Sequence, residues 1–202
     1  MMQVILVRHA ETEWNVREIL QGQSDSALTS RGKRQTSALL AAFAACDYRV
    51  ECVYASPLGR AWQMGQSLAE SFCCSLIAES ALKEQAFGQF EGMATVQLLK
   101  HSPDAAEALF KLDPSISPGS LSHILCMMHF LYALEKNRHH QTICIVSHGH
   151  VIQGVLSILK SGTVDDFPGY AQPNASYSVF DLIDGRCASL RWGIATHLRL
   201  LD

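Results

Sequence analysis

The clearest pattern in the chain is an unbroken apolar run, Val4-Ile5-Leu6-Val7, that stops on Arg8 and His9. Four apolar residues in succession suit a strand buried on both faces, as in a parallel sheet with helices on either side. The pattern recurs. Cys52-Val53-Tyr54-Ala55 predicts a second strand and residues 74–78 a third. Thr142-Ile143-Cys144-Ile145-Val146 predicts a fourth, ending in Ser147-His148-Gly149-His150. Between them the apolar positions take helical spacing. Thr29 is an N-cap for a helix running through Leu39-Leu40-Ala41-Ala42-Phe43-Ala44. Ser56-Pro57 predicts another start, with Ser56 as cap and Pro57 at the first helical position. A long helix is expected from about Leu121 to Lys136. Another follows Gly149, with Val151, Ile152, Val155, Leu156 and Leu159 on one face. Two late strands, Tyr177–Ile183 and Cys187–Trp192, meet at Asp184-Gly185, a hairpin signal.

Strands alternating with helices predict an α/β fold: a three-layer sandwich with a mostly parallel central sheet flanked by helices. Residues 10–28 read as a polar loop. From 88 to 117 the pattern blurs into helical pieces, 94–100 and 104–112, set between turn residues. We read about 88–120 as a small helical insertion covering one end of the sheet and the site there, closing on a turn at Pro118-Gly119-Ser120. The rest makes one domain over 1–202.

Composition narrows the function classes. A net charge of -3 leaves no global basic field to draw nucleic acid or an anionic membrane, so any anion site must be local. No apolar run is long enough to span a bilayer, and the first ends at Arg8 with no basic stretch before it, unlike a signal peptide. The cysteine count, 7, is odd and no CxxC pair occurs. That fits neither a disulfide framework nor a zinc finger, and predicts reduced thiols in the cytoplasm.

Three places repeat one arrangement: a buried strand, then polar residues, then a loop or helix start. They are Arg8-His9, the segment from Ser56 to Arg60, and His148-Gly149. Any one could be an ordinary polar loop. If the strands are neighbours, two arginines and two histidines converge at the carboxyl edge of the sheet, where open α/β folds bind ligands. Two helix N-termini would point there too, adding N–H donors. Such a pocket suits a phosphoryl group.

The residues themselves carry a family resemblance. Leu6-Val7-Arg8-His9-Ala10-Glu11-Thr12-Glu13-Trp14-Asn15 resembles the signature of the histidine phosphatase (phosphoglycerate mutase-like) superfamily. Leu28-Thr29-Ser30-Arg31-Gly32 is similar to its LTxxG helix start, and Ser56-Pro57-Leu58-Gly59-Arg60-Ala61 to its second-arginine motif. The segment Leu82-Lys83-Glu84-Gln85-Ala86-Phe87-Gly88-Gln89-Phe90-Glu91-Gly92 and the run Val146-Ser147-His148-Gly149 match two further motifs in order.

The resemblance implies that His9 is the nucleophile, forming a phosphohistidine, and that Glu84 is the proton donor. Arg8, Arg60 and His148 would hold the phosphoryl oxygens, with His148 protonated when phosphate is bound. Asn15, Gln21, Gly22 and Gly149 would add phosphate or substrate contacts. It implies no cofactor and no metal, and no carboxylate cluster in the sequence looks like a metal site. The partner implied is a small phosphorylated substrate, with no nucleic acid and no membrane; a homodimer is compatible. Departures are Ala10 where the family has glycine, Met64-Gly65 in place of threonine-alanine, and Pro118-Gly119-Ser120 in place of Gly-Glu-Ser. Ala10 puts a methyl group where it could crowd the pocket. The short insertion favours a phosphatase over a mutase. A mutase and a non-catalytic phosphate-binding relative are the alternatives. His101, His123, His129, His139, His140 and His197 match no motif and are not expected to be ligands, whereas His150 lies close enough to line the site.

Overall fold

The computed structural model describes residues 1–104, 106–107, 121–138, 141–199 and 201. Six strands form one sheet: β1 (Met2–Arg8), β2 (Val50–Ala55), β3 (Ser75–Ala78), β4 (Thr142–Ser147), β5 (Tyr177–Ile183) and β6 (Arg186–Ile194), in spatial order β3-β2-β4-β1-β5-β6. The pairs from β3 to β1 are parallel, while β5 and β6 join antiparallel. The mostly parallel sheet is therefore as expected, with the hairpin at Asp184-Gly185 forming one edge.

Register matters most for function. Arg8 pairs with Ser147 and Ala55 with Val146, so β1, β4 and β2 end level with one another. Whatever follows those three strands emerges side by side at one edge.

Strand alternation separates two cores. Val4 and Leu6 face α5 (Ser122–Asn137) and α6 (Gly149–Ser161), packing with Met127, Leu131, Val155 and Leu156. Ile5 and Val7 face α2 (Ser30–Ala44) and α3 (Gly59–Phe72), packing with Leu39, Phe43, Met64 and Leu68. These are the outer layers of the sandwich. Cys144 lies fully buried in β4, and burial pushes its thiol pKa up, as suits a small apolar residue. Gly65 packs its backbone onto Ala55, so the Met64-Gly65 departure serves packing.

The predicted polar loop contains a short helix, α1 (Glu13–Val16), capped by Thr12. Thr29 caps α2 as expected, accepting from the Gly32 amide at 2.8 Å. The LTxxG glycine has its own reason: a Cβ on Gly32 would lie 2.1 Å from the Glu11 carbonyl oxygen. One expectation fails. The helix after β2 starts at Gly59, and Ser56 does not cap it. Its cap comes from a distant loop: Asp25 Oδ2 accepts from the Gly59 amide at 2.6 Å.

Of the expected insertion, a 3-10 turn (Gly88–Phe90) and α4 (Thr95–His101) are described. The segment pairs with the loop after β1 through Leu20 N to the Met93 carbonyl, 2.9 Å, and Thr95 N to the Glu18 carbonyl, 2.8 Å. A third, small core of Leu20, Phe87, Leu98 and Ala106 joins this segment to the loop after β1. Residues 108–112, the Pro118-Gly119-Ser120 turn, His139 and His140 lie outside the described residues. No helix among the described residues is long and apolar enough to cross a membrane.

Candidate active site

A cavity of about 220 Å³ opens at the edge where β1, β4 and β2 end. Arg8, His9, Asn15, Gln21, Gly22, Arg60, Glu84 and Gly149 line it, so these predicted residues come together. His148 sits directly behind, its ring centroid 5.3 Å from that of His9.

His9 is the best-held side chain. Its amide donates to the Ser147 carbonyl at 3.0 Å, and its carbonyl accepts from Ala175 N and Asn174 Nδ2. Its Nδ1 lies 2.8 Å from the Ala10 carbonyl. A carbonyl only accepts, so Nδ1 carries a proton and a neutral ring keeps its lone pair on Nε2. The ring is kept neutral: burial lowers its pKa well below the usual imidazole value, and Arg60 and then Arg8 add to the effect. The Ala10 methyl does not crowd the pocket as feared. Ala10 is fully buried in the α2–α3 core.

His148 is buried and held low by burial first, then by Arg60, His9 and Arg8. It is therefore neutral in the unliganded site; protonation as expected with phosphate would need the incoming negative charge. Its Nε2 lies 2.8 Å from Ser56 Oγ. That contact is what Ser56 does in place of capping a helix.

The arginines are fixed by backbone carbonyls. Arg60, 2% exposed, donates to the carbonyls of Ser24 and Gly22, each at 2.7 Å, and to Asp25 Oδ1 at 2.8 Å. Arg8 donates to the Gln172 carbonyl. Its guanidinium passes so close to α6 that a Cβ on Gly149 would lie 3.1 Å from its central carbon. Gly149 thus makes room for Arg8. Burial opposes the charge on each arginine, and Glu84 supports it. Among the described residues, Arg8 Nε, Arg60 Nε and His148 Nδ1 are buried with no hydrogen-bond partner. Buried donors left without acceptors are costly, and clustered ones mark where an anion's oxygens fit.

Glu84 lines the cavity and also caps a helix. Its carboxylate accepts from the amides of Gln85 (3.1 Å), His150 (3.0 Å) and Val151 (3.1 Å). It therefore occupies the N-terminus of α6, while Asp25 occupies that of α3. The two helix ends expected to offer N–H groups to the ligand are each taken by a carboxylate of the chain itself.

Asn15 Oδ1 accepts from Thr12 N (3.1 Å), Thr12 Oγ1 (3.0 Å) and Asn174 Nδ2 (3.2 Å). That leaves the donor end of its amide for a ligand. Gln21 Nε2 braces the same Thr12 hydroxyl. Gly22 contributes its carbonyl to Arg60 and lies against Glu91. Glu91 accepts from Gln23 N, Ser24 N, Ser24 Oγ and Phe87 N, tying the loop to the cover. Burial works to raise its pKa, but these bonds outweigh it and hold the carboxyl lower than usual.

Several residues here carried no signal in the sequence: Asp25, Gln172 and Asn174, and Gln153 on the pocket wall. Asp25, Gln172 and Asn174 each act through a partner far away in the chain. His150 lines the cavity, as its position suggested, with Phe87 and Phe167 packed in T-shaped contact with its ring. His123, set aside from the sequence, stacks on His150 with centroids 5.7 Å apart. Burial lowers its pKa to about 4 despite Glu84 nearby.

Two neutral imidazoles, two fixed guanidinium groups and a carboxylate around one cavity suit attack on a phosphorus. The profile of the histidine phosphatase superfamily (branch 1) matches residues 4–195. The chain belongs to that superfamily. It is 30% identical over 202 residues to phosphoserine phosphatase 1 of Hydrogenobacter thermophilus, covering 98% of this chain and 95% of that one. It is similar in structure to a mutant of phosphoserine phosphatase from Entamoeba histolytica in complex with phosphoserine, with TM-score 0.82 and 28% identity, covering 98% and 100%. It also matches Bacillus stearothermophilus YhfR in fold, with TM-score 0.85 and 21% identity, covering 98% and 100%. The family and its relatives make this chain a phosphatase-type hydrolase.

Proposed function

We propose that the chain is a metal-independent phosphomonoesterase working through phospho-His9. The observation that carries this reading is the Nδ1 contact to the Ala10 carbonyl, 2.8 Å, which leaves Nε2 as the attacking atom beside Arg8 and Arg60. In the first step Nε2 bonds to phosphorus and the ester oxygen leaves, taking a proton from Glu84. In the second, water attacks phosphorus and gives a proton to Glu84. The P–N bond breaks, and inorganic phosphate departs. Arg8, Arg60 and His148 hold the transferring oxygens in both steps.

Phosphoserine is the first substrate to test. Two relatives matched over nearly the whole chain are named for it, and the small polar cavity suits a short substrate. The mutase likeness is narrower: a probable phosphoglycerate mutase GpmB of Escherichia coli is 40% identical, but over 91 residues only. A cytoplasmic setting belongs to the same reading, since all seven cysteines are free.

The test is a panel of phosphoserine, sugar phosphates, 3-phosphoglycerate and an aryl phosphate, with rapid acid-free quenching to trap labelled protein. The reading expects hydrolysis without a bisphosphate primer and an acid-labile, base-stable label that disappears in His9→Ala. Label at another residue, or turnover that needs the primer, overturns it.

A further inference from the structure

Beside the phosphate pole lies a second cluster that this chemistry does not use. Glu84, His123 and His150 each offer one ligand atom, and the three atoms lie within 4.8 Å of one another. They come from three elements: the loop after β3, the first turn of α5 and the first turn of α6. The two helices are locked at this end, because a Cβ on Gly154 of α6 would lie 2.1 Å from Ile124 of α5. The backbones that carry the two histidines are therefore held in register at this end.

Both ring nitrogens of His123 are sealed from solvent and have no hydrogen-bond partner among the described residues. A buried imidazole with two unused nitrogens is costly unless something occupies one of them. Glu84 retains acceptor capacity: its Oε2 receives one amide, while Oε1 receives two. Aromatic walls from Phe87 and Phe167 limit water around His150.

We propose that Glu84, His123 and His150 form an inhibitory binding site for Zn²⁺. Two imidazoles and one carboxylate are a common zinc set, with the fourth position left to water or a substrate oxygen. Tetrahedral zinc needs ligand atoms about 3.3 Å apart, given bonds of about 2.0–2.1 Å. Side-chain rotations that close the 4.8 Å cluster by about 1–1.5 Å bring the atoms into range. Opposing effects set the affinity. Only one ligand is anionic, and two arginines and two helix N-termini repel a cation. The balance suits a reversible ion more than a resident structural one. With zinc on its carboxylate, Glu84 no longer carries the proton that the leaving oxygen takes. This consequence rests on the phosphatase reading; the binding itself does not.

The experiment uses chelator-stripped full-length protein and Co²⁺ as an optical probe. We expect one equivalent of cobalt with visible d–d bands and no thiolate charge-transfer band, displaced by one equivalent of Zn²⁺. Zinc should inhibit turnover over the same concentration range, and a chelator should restore it. His123→Gln and His123→Phe should keep turnover in metal-free buffer. Both should bind zinc at least about tenfold more weakly, since even an outer-shell change costs that much. Two variants are used so that one misfolding does not decide the matter, with circular dichroism as the check. A thiolate band, absence of stoichiometric binding, unchanged zinc affinity in folded His123 variants, or activation by zinc overturns the proposal. A protein that binds cobalt as described but hydrolyses no phosphoester would sink the phosphatase reading and leave the metal site standing.

Discussion

The floor of the site and its cover are built on different principles. The floor is made of strand ends: Arg8 and His9 after β1, Ser56 after β2, Ser147 and His148 after β4. These positions are fixed by the ladder itself, with His9 N bound to the Ser147 carbonyl and Ser56 N to the Val146 carbonyl, each at 3.0 Å. Beside the floor, in what we call the cover, stand the segments 14–25 and 84–104, held by carboxylates and a core of four buried side chains, Leu20, Phe87, Leu98 and Ala106; of the second segment Glu84 and Phe87 line the cavity. Residues that must be placed to a fraction of an ångström sit on the sheet, and the loops beside them sit where the backbone tolerates change. The two meet at Arg60, whose charge serves the floor and whose hydrogen bonds belong to the loop.

The comparison can be broken in a graded way. Removing the nucleophile should have the largest effect: His9→Ala is expected to lower kcat by about 10⁴-fold or more with a native circular dichroism spectrum. Steady-state turnover of an aryl phosphate checks it. Arg60→Ala should lower kcat by about 10²–10³-fold and also loosen the 22–25 loop. Hydrogen exchange of those amides separates the two roles. Arg60→Lys should not rescue, because one ammonium cannot reach three carbonyl and carboxylate acceptors in the geometry of a planar fork.

Stability should depend on pH through the floor. His9 and His148 are held neutral in the folded chain but take protons near pH 6.5 once unfolded. Below that pH the unfolded state binds more protons, so stability falls as pH falls. A Tm that drops by several degrees between about pH 7 and pH 5 is expected, and less steeply with saturating phosphate. A flat profile would mean that the histidines are not held neutral.

The cover should answer more softly. Glu91→Gln weakens the bonds to Gln23, Ser24 and Phe87 and should raise KM about fivefold, with kcat within about twofold. The smallest effect belongs to the outer face of α4, where Val96 is 66% exposed. Val96→Ser should shift stability by less than about 0.5 kcal/mol and leave KM unchanged.

This division also explains what the sequence revealed. The strands were visible because residues buried on both faces leave unbroken apolar runs, as at Val4–Val7 and Ile143–Val146. The floor residues followed directly after those runs. Asp25 gave no sign that it caps α3, 34 positions away, nor Glu84 that it caps α6, 66 positions away. Ser56-Pro57 misled because its local chemistry fits a helix cap, while the tertiary partner, His148, takes the hydroxyl. Asn174 reaches the His9 carbonyl across 165 positions, and no local pattern announces such a contact.

The shared loop has a consequence for divergence and design. Because Gly22, Ser24 and Asp25 anchor Arg60, changing the first covering loop to admit a new leaving group also disturbs the reaction rate. New substrate preferences should therefore accumulate in the segment 92–104, whose described residues make no hydrogen bond to either arginine, while the stretch from 21 to 25 stays nearly frozen among variants that still turn over.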